Sequence, residues 1–330
     1  MSLQRTFVLA FLAATTAVQA DLFVSSFNQN SVRRYDENTG AFLGTFISAG
    51  AGGLSAPHRG IFGPDGNFYV TSANNDQILR YNGQTGAFID SFIQNGVNGL
   101  PASTLDYPVD LTIGPDGALY VSSQLNDSIL RFNASTGAFL GMLVPGGSGG
   151  LDGPSGIQFY NGDLFVAGRF SSRVYRYDGA TGAFEMEIGA GALSTAFGLD
   201  IGADGNLYVA SGASSKIVRF NPVTGGNLGD FVVTGSGGLS SPIGIEFGPD
   251  GNLYAASFNA DTIERYNGVT GAAIGDFVPA GSGGLDQPNF ITFAVPEPGA
   301  ATLVLAALSP AFCRRQRAVE GKLGCRAPDA

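Results

Sequence analysis

Residues 207–225, LYVASGASSKIVRFNPVTG, recur in variant form along most of this chain, and that recurrence constrains the fold more than any other feature. Copies of the LYVAS run begin at Leu22, Phe68, Leu119, Leu164, Leu207 and Leu253, spaced 46, 51, 45, 43 and 46 residues apart. A second run follows each, with arginine at one fixed place: Arg34, Arg80, Arg131, Arg176, Arg219 and Arg265. An aromatic comes directly after it (Tyr35, Tyr81, Phe132, Tyr177, Phe220, Tyr266), then Asp or Asn, and three residues later a Thr-Gly pair.

Each unit reads as four strands. Run A alternates, as in Pro242–Phe247, and closes on a Gly-Pro-Asp-Gly-Asn turn, where Pro presets φ and Gly accepts positive φ. Run B is LYVAS, run C is IVRFN, and run D follows Thr-Gly, as in AFLGTFI from Ala41 and AFIDSFI from Ala87. Short alternating strands, Gly-rich turns and a period near 45 residues predict an all-β, six-bladed propeller of four-stranded antiparallel blades. No copy holds an apolar pattern of period 3.6, which excludes a helical solenoid. The first copy lacks its run A, and a lone run A (Pro288–Phe293) stands at the far end. Joining that strand to the first three closes the ring and removes free edges.

The A strand ending in Asp-Gly before Asn-Leu-Tyr-Val resembles the repeat of NHL-type six-bladed propellers, over about Asp21 to Phe293. The resemblance implies the fold; propellers host many unrelated activities.

Met1 to Ala20 reads as an export signal: Arg5, an apolar centre from Phe7 to Ala17, and Val18-Gln19-Ala20 before Asp21. The propeller is placed at 21–294. From Val295 the chain reads VPEPGAATLVLAALSPAFCRRQR, which resembles the PEP-CTERM sorting signal of bacterial envelope proteins. Pro296, Glu297 and Pro298 precede an apolar run of 15 residues, Gly299 to Cys313, and then Arg314, Arg315 and Arg317. Prolines end the last strand, the run enters the membrane, and the arginines hold its end on the cytoplasmic side. The run is shorter than the roughly 17–25 residues of an ordinary span. Pro310 interrupts it, and a tail (318–330), expected to be disordered, continues past the arginines. The resemblance implies processing by an exosortase-type enzyme and delivery to the cell envelope, surface or extracellular matrix.

A formal net charge of −10 argues against a nucleic-acid partner. Lys216 is the only lysine in the propeller, and both cysteines, Cys313 and Cys325, lie beyond it. That removes disulfides and thiol chemistry from the repeat domain.

Residues shared by all blades are scaffold, and differences between equivalent positions make a site. The six strand-C arginines are therefore expected to pair with an acid or with turn carbonyls, the candidate acids being Asp76, Asp127 and Asp261. The Asp of each Asp-Gly turn (Asp65, Asp116, Asp204, Asp250) serves the turn. No cofactor is expected: a divalent metal such as calcium would find no D-x-D-x-D run. The Gly-rich connectors at Gly146–Gly150 and Gly235–Leu239 precede strands, not helices, so they are not phosphate loops.

Variation concentrates at the start of run A, where equivalent pairs are His58-Arg59, Val109-Asp110, Ser155-Gly156, Phe197-Gly198, Ile243-Gly244 and Asn289-Phe290. Asn289, His58, Arg59 and Asp110 come from three consecutive blades. They form the candidate site at the channel mouth, with Asn74, Asp76, Asp106 and Arg169 as loop contributors. This favours a binding or structural module holding protein or polysaccharide on the face of the D-to-A and B-to-C loops. The alternative is a metal-dependent lactonase- or lyase-like hydrolase using His58 and Asp110, the chain's single histidine and the one carboxylate at the strand-A starts.

Overall fold

The computed structural model describes residues 21–294. The export signal, and the sorting signal with Pro296, Glu297, Pro298, Arg314, Arg315 and Arg317, lie outside the described residues.

Six four-stranded antiparallel sheets form the described chain. Blade 1 combines strand A (Pro288–Phe293) with strands B (Asp21–Ser26), C (Ser31–Asp36) and D (Phe42–Ile47), so the one-plus-three closure is observed. The other A strands are Pro57–Phe62, Pro108–Ile113, Pro154–Tyr160, Ala196–Ile201 and Pro242–Phe247, and the six make a closed inner cycle. Strand D begins one residue later than the pattern predicts, at Phe42 and Phe88. Ala41 and Ala87 belong to the turn: their N–H groups donate to Thr39 and Thr85.

The core is six wedges, each drawn mainly from two adjacent blades. Strand B is buried on both faces, as in Phe68–Ser72 and Leu207–Ser211, because each of its faces meets a neighbouring blade. No blade encloses its own core, which is why one repeat cannot be stable alone.

One device binds blade to blade at every junction. A left-handed residue ends every B-to-C turn (Asn30, Asp76, Asp127, Ser172, Ser215, Asp261). Its side chain accepts a backbone N–H from the connector to the next blade, as Asp76 does from Tyr107 (2.9 Å) and Asp261 from Gln287 (2.7 Å). The strand-C arginines therefore do not use Asp76, Asp127 or Asp261. Arg34 pairs with Asp21 at 2.6 Å, Arg80 with Asp90, Arg131 with Asp116, and Arg176 with Glu185 at 2.7 Å. These arginines do pair with acids, and Arg176 also donates to the Pro222 and Val223 turn carbonyls of the next blade. The three candidate acids are not the partners, because cross-strand and turn neighbours rather than sequence proximity decide contact.

Glycine is required where A strands approach each other. A Cβ on Gly198 would sit 2.5 Å from the Ile243 carbonyl, and one on Gly156 2.6 Å from that of Phe197. Gly198→Ala is expected to cost about 1–3 kcal/mol through overpacking, read as a lowered denaturation midpoint with an unchanged m-value.

Candidate functional site

Every A strand carries an extra residue between its first and fourth positions, as where Pro57 faces Ser72 and Gly60 faces Val70. This bulge re-aims the intervening pair. Second-position side chains form a buried layer across the channel: Asn289, His58, Val109, Ser155, Phe197 and Ile243. Third-position Arg59, Asp110 and Phe290 and fifth-position Ile61, Thr112, Gln158, Asp200 and Glu246 line the lumen.

His58 sits in the buried layer. Asn289 Nδ2 donates to its Nδ1 (2.8 Å), leaving the proton on Nε2, 3.5 Å from the Tyr107 hydroxyl. Burial, reinforced by the Arg169 charge, pushes His58 down to about 3, so the ring is neutral. Above it, Phe27 meets His58 and Phe258 edge-on, and Tyr107 packs on the other side. Arg169 lies over the rings of Phe197 (4.9 Å) and Phe170 (5.4 Å) and donates to Gln124 Oε1 at 3.3 Å.

Below the layer is a cavity of about 360 Å³ lined by Arg59, Asp110, Thr112, Gln158, Asp200, Glu246 and aliphatic neighbours. Arg59 meets Glu246 at 3.1 Å and Asp110 at 3.9 Å, and donates to the Ile291 carbonyl. The carboxylates also stitch inner strands whose edges lack a ladder partner. Asp110 accepts from Leu111 and from Ile157 of the next blade. Asp200 accepts from Ile201 and Phe247, and Glu246 from Phe293. Burial outweighs these bonds and Arg59, raising Asp110 to about 6, Glu246 to about 7, and Asp200 above the usual range.

No family model matches the chain, and no curated protein matches it. Among solved structures, it is similar to a chain in a crystal structure of a nidogen/laminin complex, at 16% identity and TM-score 0.64, covering 84% of this chain and 98% of that one. It is equally similar to a protein of unknown function from Bacteroides caccae, at 14% identity and TM-score 0.64, covering 84% and 100%. A virginiamycin B lyase from Staphylococcus aureus aligns at 20% identity and TM-score 0.49, covering 74% and 71%. The first two likenesses show the fold alone.

The structure brings His58 to Asn289 and Arg59 to Asp110, but the first pair belongs to the buried layer and only the second lines the cavity. Asp110 has both carboxylate oxygens occupied by backbone donors, and His58 holds its proton toward Tyr107. Asn74 is exposed and donates to Ser55 (3.2 Å), while Asp76 is spent on the Tyr107 clamp. Asp106 lies in the connector before Tyr107, its carboxyl pushed up by burial and by the charge of Asp76. Among the described residues, no three His, Cys, Asp or Glu side chains converge as a metal site.

Asp200, Glu246, Gln124 and Tyr107 escaped the sequence comparison. The first two occupy the fifth position of strand A, in the set Ile61, Thr112, Gln158, Asp200, Glu246, Thr292; comparing that position as well would have shown them. Gln124 heads its B-to-C turn, equivalent to Phe27, Ala73, Arg169, Gly212 and Phe258, which the same comparison distinguishes.

Proposed function

We propose that this protein is an exported binding module that holds a polysaccharide or protein partner on the face of its B-to-C and D-to-A loops. The observation that carries the reading is the contrast between faces. The A-to-B and C-to-D turns repeat the same Asp/Asn turn bonds blade after blade. The B-to-C turn heads vary, with five residue types in six blades, and Leu125 and Phe170 stand exposed there, Phe170 beside Arg169. Non-repeated apolar side chains beside a charged one are what a contact surface needs. Asp110 and Arg59 belong to the buried stitching of the inner strands, which favours this reading over the lactonase- or lyase-like one.

The terminal motifs supply the address. In this proposal Met1 to Ala20 directs export, and the segment from Pro296 to Arg317 is handled by an exosortase-type enzyme at the envelope.

The immobilised full chain, probed with envelope polysaccharide and protein fractions, is expected to retain a partner. Leu125→Asp with Phe170→Asp is expected to cut retention at least tenfold. Leu228→Asp, on the perimeter D strand, is expected to leave it unchanged. Equal retention by the two variants would refute the face assignment.

A further inference from the structure

The channel mouth has a cation with no anion of its own. Among the described residues Arg169 makes no ion pair; the only hydrogen bond of its side chain goes to Gln124 Oε1, a neutral acceptor. The guanidinium rests over Phe197 and Phe170, so its stacking face is taken and its remaining N–H groups are directed along its own plane. A second, independent sign is Gln124 itself. The residue is 2% exposed, and its amide Nε2, at the other end of the group that Arg169 touches, has no hydrogen-bond partner. A buried amide donor left unmade costs roughly 1–3 kcal/mol, and such donors are rare unless something else satisfies them.

We propose that Arg169 and Gln124 form a subsite for a single carboxylate borne on a ring. The inference rests on the loop face being the binding face and names the chemistry taken there. Planar guanidinium and amide donors side by side match the two oxygens of a carboxylate. His58 is neutral, so the mouth holds one cation and suits a monoanion. An excess of carboxylates surrounds Arg59 in the lumen below, which keeps an anion at the mouth. Phe27, Phe258, Tyr107 and the half-exposed Phe170 supply flat faces for the ligand's ring.

An aromatic acid and a sugar acid share this chemistry, and titration calorimetry on the full chain separates them. Benzoate is tested against benzamide, glucuronate against glucose, and inorganic phosphate as the competing anion. At least one carboxylate is expected to bind tenfold or more tightly than its neutral counterpart, and tighter than phosphate. Benzoate alone assigns an aromatic acid, and glucuronate alone a sugar acid.

Arg169→Met is expected to abolish that binding. Gln124→Glu, nearly isosteric, gives Arg169 an internal carboxylate and is expected to do the same in a chain of unaltered melting temperature. The proposal is overturned if no acid binds, if neutral analogues or phosphate bind as well, or if Gln124→Glu binds like the parent. Partner retention is a separate readout. Acid binding that survives while Leu125 and Phe170 prove irrelevant would leave the subsite standing and remove the face reading.

Discussion

Arg59→Leu is expected to destabilise the protein by about 3–5 kcal/mol at pH 8 and by far less at pH 5. Among the described residues Arg59 is the only cation against Asp110, Asp200 and Glu246 in the lumen lining. Removing it leaves buried carboxylates without a counter-charge, a larger penalty than the loss of an exposed ion pair. The pH dependence has a definite sign. Glu246 at about 7 and Asp110 at about 6 lie above their unfolded values, so the native state holds those protons more tightly. The stability they confer is complete below the unfolded carboxylate range and is lost as pH rises through 6 and 7. The parent protein should therefore be more stable at pH 5 than at pH 8, and the leucine variant more steeply so. The turn aspartates Asp65, Asp116, Asp204 and Asp250, held low by their hydrogen bonds and nearby arginines despite partial burial, act oppositely. Their contribution is lost only as pH falls through their depressed values. Denaturant midpoints at the two pH values measure this; a variant penalised equally at both would show that the lumen carboxylates do not titrate with folding.

A chain ending at Gln287 is expected not to fold cooperatively. Strand A of blade 1 contributes Phe290, Ile291 and Phe293, all buried. Each is worth about 1.5–3 kcal/mol of burial, so together they approach the 5–15 kcal/mol of a typical domain. The same truncation removes the ladder partner of Asp21–Ser26, leaving an apolar edge, LFV, open to other copies. It also removes Thr292, whose hydroxyl donates to the Gly60 carbonyl of blade 2, and the Ile291 carbonyl that accepts from Arg59. The expected result is loss of the sharp thermal transition and concentration-dependent association in light scattering. A truncated chain melting within a few degrees of the parent would show that five and three-quarter blades suffice.

The substitution and the truncation test different layers of one design. Ring closure was legible because a run A without a run B at one end and a run B without a run A at the other can only complement each other. The lumen was legible in part. His58, Arg59, Asp110 and Asn289 stand out because equivalent positions elsewhere are glycine, serine or apolar. Asp200 and Glu246 did not, because they sit on the A strands of two other blades, two residues beyond the glycines Gly198 and Gly244 that occupy the compared position. The arginine partners were misassigned for a related reason. Asp76 is near Arg80 in the chain, yet its side chain turns to the next blade, while Asp90 arrives across the C–D ladder.

The amino-acid sequence by itself determined the number of blades, their four-strand pattern, their turn chemistry and their closure. All of these are written in local spacing that repeats six times, so each copy corroborates the others. Only the tertiary structure decided which variable residues share a compartment. The strand-A bulge aims two consecutive side chains at the channel, placing His58 in the sealing layer and Arg59 in the lumen. Arg169 and Gln124, 45 residues apart in the chain, meet because neighbouring blades bring their B-to-C turns side by side. No period along the chain encodes that meeting, since each residue occurs once and its partner lies in a different repeat.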